Sequence, residues 1–258
     1  MSFYSNTNVE ARPMGLDLGA VMRQVYLWLA LGLLVAFGVS FAVGNSAVAT
    51  YEAALSGARS AAAARAALSS SILFNPVIWL GSLIAYFVLA FALQPIIMRA
   101  RPAIGSLFYL LFTALFGFMI SSIFLAYQPG TIAMAFVATA GMFGAMTIVG
   151  YTTKMDLSRW GSLLLMALIG LIIASIVNIF LNSTAIYWLI SYAGVIIFVG
   201  LTAYDTQWIK NNAAMVAASG DGDGAQRLAL VGAFHLFLDF MNLFLFILRI
   251  LGGGSRRS

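Results

Sequence analysis

The chain has no cysteine, a single histidine (His235), only two lysines (Lys154 and Lys210), and charge on just 8% of its 258 residues. Without cysteine there is no disulfide and no thiolate chemistry. A soluble domain carries roughly 25% charged residues, so the scarcity of charge argues against a water-soluble fold. A retinal-type Schiff base needs a lysine within the last apolar run, and neither Lys154 nor Lys210 lies there. What is present is apolar: 62% of the residues are hydrophobic and the mean hydropathy is +0.99. That composition describes an all-α polytopic membrane protein. The net charge of +5 does not point to nucleic acid, because the basic residues stand singly between apolar runs, where membrane topology places them.

Seven runs are long enough to cross a bilayer, near 22–44, 76–98, 104–127, 131–152, 161–182, 186–208 and 228–251. They form a membrane domain over 22–251, preceded by a polar segment over 1–21 and followed by a short basic tail over 252–258. The polar start lacks a basic n-region with a cleavage site, so no signal peptide is expected and the first span directs insertion. Most links are short and carry turn residues or charge, which implies antiparallel neighbours. One is long: 45–71 is rich in Ala and Ser and carries Glu52, Arg59 and Arg65. It reads as an extracytoplasmic insert, either a surface helix or an irregular loop. The segment Asn211–Arg227 reads as a polar link between the last two spans.

Lys and Arg set the orientation. With the N-terminus inside, the inner segments hold Arg12, Arg23, Arg99, Arg101, Lys154, Arg159, Lys210 and Arg227, and the outer side holds Arg59, Arg65, Arg249, Arg256 and Arg257. The bias favours a cytoplasmic N-terminus. Seven spans then put the tail outside, unless the last one re-enters and returns.

Two acids stand out. Asp239 sits near the middle of the last run, where a carboxylate costs about 2.5–3.5 kcal/mol on insertion scales and so marks a site by default. Asp205 lies about five residues before Lys210, and the two spans run in opposite directions, so both acids fall in the inner half of the membrane. Two carboxylates a few ångströms apart in low dielectric cannot both ionise cheaply; the pair would titrate as a unit and sense pH. When ionised it would attract a hard cation such as calcium. Taken singly, each acid has a plainer reading: Asp205 as an interfacial residue near a helix end, Asp239 as a partner to a neighbouring backbone. On an ideal helix His235, Asp239 and Asn242 share a face, so His235 could relay a proton to Asp239 or hold it, or simply be a buried neutral side chain. Arg99 and Arg101, ending the second span, are at the right level to partner a buried acid, or are topology determinants.

Enzyme readings fit poorly. No serine in a Gly-flanked turn faces His235. Gly220-Asp221-Gly222-Asp223 spells an aspartyl-protease string, but in a polar link rather than in an apolar helix, and it lacks the further ligands of a calcium loop.

FVGLTAYDTQWIK (198–210) and LVGAFHLFLDFMNLFLFILRILG (230–252) resemble the paired motifs of the transmembrane Bax inhibitor motif family, especially its bacterial members. Residues 16–40 resemble that family's first span and ISSIFLAY (120–127) its third. The resemblance implies seven helices with the last one central between two three-helix layers, in a bacterial inner membrane. It implies an aspartate pair, here Asp205 and Asp239, acting as a pH-sensitive switch linked to a calcium leak. Calcium is then the transported or bound ion, and no cofactor is expected. An arginine at the inner end of span two latches to the span-six aspartate; Arg99 matches best and Arg101 is the alternative. Position 235 is usually small and polar or neutral in the family, so His235 and its face-mate Asn242 are candidate modulators. Relatives are also linked to cell-death suppression and to modulation of a membrane protease, so a partner protein without transport activity is the alternative function.

Overall fold

The computed structural model describes residues 17–57, 73 and 75–253. The polar start to residue 16, most of the insert beyond Gly57, and the basic tail from residue 254 lie outside the described residues. Seven helices are long and apolar enough to cross a membrane: α1 (Leu18–Gly57), α2 (Pro76–Arg99), α3 (Pro102–Ile120, extended by a short turn at Ile123–Ala126), α4 (Pro129–Thr152), α5 (Ser158–Leu181), α6 (Thr184–Ser219) and α7 (Gly222–Gly252).

The helix starts follow local chemistry. Proline occupies the first position of α2, α3 and α4, where its missing N–H is no loss. Asn75 caps α2 by accepting from the amides of Val77 (3.0 Å) and Ile78 (3.3 Å). Ser183 caps α6 by accepting from the Ile186 amide at 3.4 Å.

Two boundaries differ from the hydropathy reading. Residues 45–57 are neither a separate surface helix nor a loop; they continue α1 without a break. The Asn211–Arg227 link is almost wholly helical: α6 runs on to Ser219 and α7 begins at Gly222. Both extensions are Ala-rich, and alanine sustains helix where hydropathy has already fallen. The actual turn is only two residues. Gly220 takes the left-handed conformation (φ 70°) that glycine adopts without penalty, and Asp221 caps α7 through the Gly224 amide at 2.9 Å. The Gly-Asp-Gly-Asp string is therefore a helix-turn-helix corner. No break interrupts α7, so it does not re-enter and return.

The seventh helix is central. Of its membrane-length window 72% is buried, against 6% for α5. On one side α1, α2 and α3 form a layer; on the other, α4, α6 and α5 do; α7 lies between and touches α1, α2, α3, α4 and α6. Phenylalanines carry α7 into both layers. Phe237 meets Tyr109, Phe112 and Phe116 edge-on, while Phe240 meets Phe136 and Phe143.

Each layer also has one crossing made by a small residue. A Cβ on Gly117 would fall 2.9 Å from the Ala36 Cα, and one on Gly150 would fall 2.9 Å from the Ala203 Cα. These are backbone-to-backbone approaches, α3 on α1 and α4 on α6, of the kind small residues permit in membranes.

Candidate functional site

The structure brings Asp205 of α6 and Asp239 of α7 into direct contact. Asp239 is only 4% exposed, and its Oδ2 oxygen has no hydrogen-bond partner among the described residues. Asp205 is less enclosed, with 15% of its side chain exposed. Both border one cavity of about 850 Å³. Its floor is α6 and α7. Its sides are α2, through Tyr86 and Phe87, and the length of α5 from Gly161 to Ile179.

The depth of the pair is fixed by its neighbours. Gln207, two residues beyond Asp205, is buried and clamps the α4–α5 loop: its Nε2 donates to the Met155 carbonyl and its Oε1 accepts from the Leu157 amide, both at 2.8 Å. Asp205 thus lies about 3 Å along the axis from that loop. Tyr204 covers Gly161, where a Cβ would come within 2.5 Å of its ring. Asp239 is mid-helix in α7 yet level with the first turn of α5, because the α6–α7 hairpin projects past the α4–α5 loop. The pair therefore sits close to one membrane face.

Gln207 gave no signal in the sequence, since one glutamine near a helix end has no motif. Replacing it with Leu leaves the Met155 carbonyl and Leu157 amide unpaired, at a cost on the order of 2 kcal/mol to the loop. We expect severalfold faster trypsin cleavage after the exposed Lys154. In the same loop, the Ser158 backbone amide donates to Asp156 at 2.9 Å and, as the largest cause, holds its carboxyl below the usual range. The favourable contribution is present above the ordinary carboxylate pKa and is lost as pH falls through the lowered one. Amide exchange at Ser158, corrected for its intrinsic pH dependence, should rise in that acidic window in wild type and be raised at neutral pH in Asp156→Ala.

His235 does share the cavity with Asp239 and Asn242. Its nearest carboxylate, however, is across the interface: Nδ1 lies 3.7 Å from Asp205 Oδ1, and the ring stacks on Trp208 with centroids 5.4 Å apart. The side chain reaches the neighbouring helix rather than the carboxyl one turn along its own. Asn242 donates to the Leu238 carbonyl at 2.8 Å, so its amide is engaged by its own helix. Arg99 and Arg101 are not at the pair. Both are exposed, and Arg99 borders a shallow surface hollow with Gln94 and Pro95. The reason is that α2 packs on α3 and α7, with the cavity between it and Asp205 of α6. No group of three or more His, Asp or Glu side chains suited to a metal occurs among the described residues.

The model for "Inhibitor of apoptosis-promoting Bax1" matches residues 18–257. The chain belongs to the Bax inhibitor-like family. It is 41% identical to the inner membrane protein YbhL of Escherichia coli K12 over 91% of this chain and 92% of that one. A protein of Caulobacter vibrioides is 36% identical over 93% and 92% of the two chains, and one of Deinococcus radiodurans 35% identical over 91% and 90%. The chain is thus a multi-pass membrane protein with a relative in a bacterial inner membrane.

Proposed function

We propose that this protein is a pH-sensitive cation leak, with calcium as the ion, in a bacterial inner membrane with the N-terminus in the cytoplasm. Asp205 and Asp239 form the sensor and the ion site. The observation that carries this reading is the contact of the two acids, one buried with an unpartnered oxygen, at the floor of a cavity near one membrane face. Such a pair gains or loses a proton at little structural cost, and its charge decides whether a cation is held. His235 is the third titratable group in contact, and Tyr86 and Tyr204 complete those that border the cavity. Arg99 becomes the latch if α2 closes across the cavity, since its helix end is on the same side as the acids.

The test is calcium flux through purified protein in liposomes from about pH 5 to 9, a range in which acid pairs and histidine titrate. Wild-type flux should change at least about tenfold across it; Asp239→Asn should flatten the response to within about twofold. A pH-independent wild type, or an unchanged profile in Asp239→Asn, removes the acids from the gate. Absence of flux favours the alternative, an interaction protein acting on a membrane protease or stress response.

A further inference from the structure

The cavity that holds the acid pair is long, sided by apolar helices and polar at one end only. Along α5 it extends from Gly161 to Ile179, about 27 Å at 1.5 Å per residue, most of the hydrocarbon thickness. The α5 residues along it, such as Leu165, Ile172, Ile176 and Ile179, are more than half exposed. In the bilayer this wall faces acyl chains, so the cavity is entered from the side, between α2 and α5. Its volume of about 850 Å³ is within the usual range for one small-molecule ligand.

The polar groups in the cavity are not equivalent. Ser175 donates to the Leu171 carbonyl at 2.7 Å and Asn242 to that of Leu238, so both are spent on their own helices. Ser162, the Tyr86 and Tyr204 hydroxyls and the His235 ring, 3.7 Å from Asp205, also line it; its acidic groups are the carboxyls of Asp205 and Asp239, with the unpartnered Asp239 Oδ2. They lie at the Gly161 end, beneath Tyr204. A ligand that fits must offer N–H donors and positive charge at one tip and a single flexible chain behind it.

We propose that the cavity is a binding site for a single-chain cationic amphiphile, a long-chain primary amine that enters from the bilayer. Its ammonium group, with three donors, bridges Asp205 and Asp239, and its alkyl chain lies along α5 toward Ile179. A phosphate-bearing headgroup is disfavoured, because it places a second anion against two carboxyls. The site uses the acid pair of the proposed leak but does not require ion conduction.

Native mass spectrometry of the detergent-purified full chain, at about pH 7.5 where an alkylamine is cationic, reads this directly. Dodecylamine should add once per protein, and dodecanol, with the same chain and no charge, should bind at least about tenfold more weakly. Asp239→Asn should lose most of the amine adduct, as should Ser175→Trp, which fills the groove away from the acids. Size-exclusion elution like wild type confirms that each variant is folded. Equal binding of amine and alcohol, an adduct indifferent to Asp239→Asn, or no adduct overturns the proposal. Flux measured on the same preparation keeps the two readings apart. Leak without amine binding removes only the amphiphile site, and amine binding without leak removes only the channel.

Discussion

Gly150→Leu is expected to destabilise the protein by about 4 kcal/mol or more, and Gly117→Leu by a similar amount. At Gly150 the obstacle is backbone, since even a Cβ would press on Ala203 of α6, and a leucine cannot rotate away from it. The helices must separate by several ångströms. That separation forfeits the dispersion contacts that hold helices together in lipid, where no hydrophobic drive compensates. It also moves the segment of α6 that presents Asp205 and Gln207. Gly141 lies on the same helix, and its Cβ would meet nothing within 4 Å, so Gly141→Leu should be nearly neutral. Unfolding of the purified variants in a mixed-micelle SDS titration would measure all three. Comparable losses at Gly141 and Gly150 would show that the close crossing does not set the cost, since leucine gains helix propensity over glycine at either position.

The second large effect concerns the acid pair as a unit. Each of Asp205→Asn and Asp239→Asn should flatten the pH response of calcium flux at least about fivefold, and the double variant should be no flatter than either single one. The groups touch, so removing one carboxyl abolishes the mutual charge effect that the other needs. A double variant clearly flatter than either single variant would mean that the acids act independently. Asparagine preserves size and removes the titration, which separates this result from a packing defect.

Hydropathy located all seven spans because lipid demands about twenty apolar residues in a row. It misplaced the ends of α1, α6 and α7 because it reports where the bilayer lies, and a helix rich in alanine runs on past that boundary. The aspartates were legible for the same reason: charge inside an apolar run is rare enough to stand out. Their pairing was expected from matching depth and from the family resemblance, but hydropathy could not fix it, since contact depends on the relative rotation and stagger of α6 and α7. The pairing of His235 with Asp205 was missed because helical periodicity orders residues along one helix and is silent about its neighbour. Arg99 was expected at the acids from its level in the membrane and from the family resemblance; level does not fix azimuth, and α2 stands across the cavity.

The amino-acid sequence by itself determined the membrane class, the seven spans, the family and the two acids, all properties of local composition and spacing. The family resemblance carried the central place of α7 as an expectation; tertiary structure alone decided the glycine crossings, the Gln207 clamp and the lateral cavity. Those depend on which helix faces meet, and in lipid that choice is made by close packing between small residues and aromatics rather than by burying apolar surface from water.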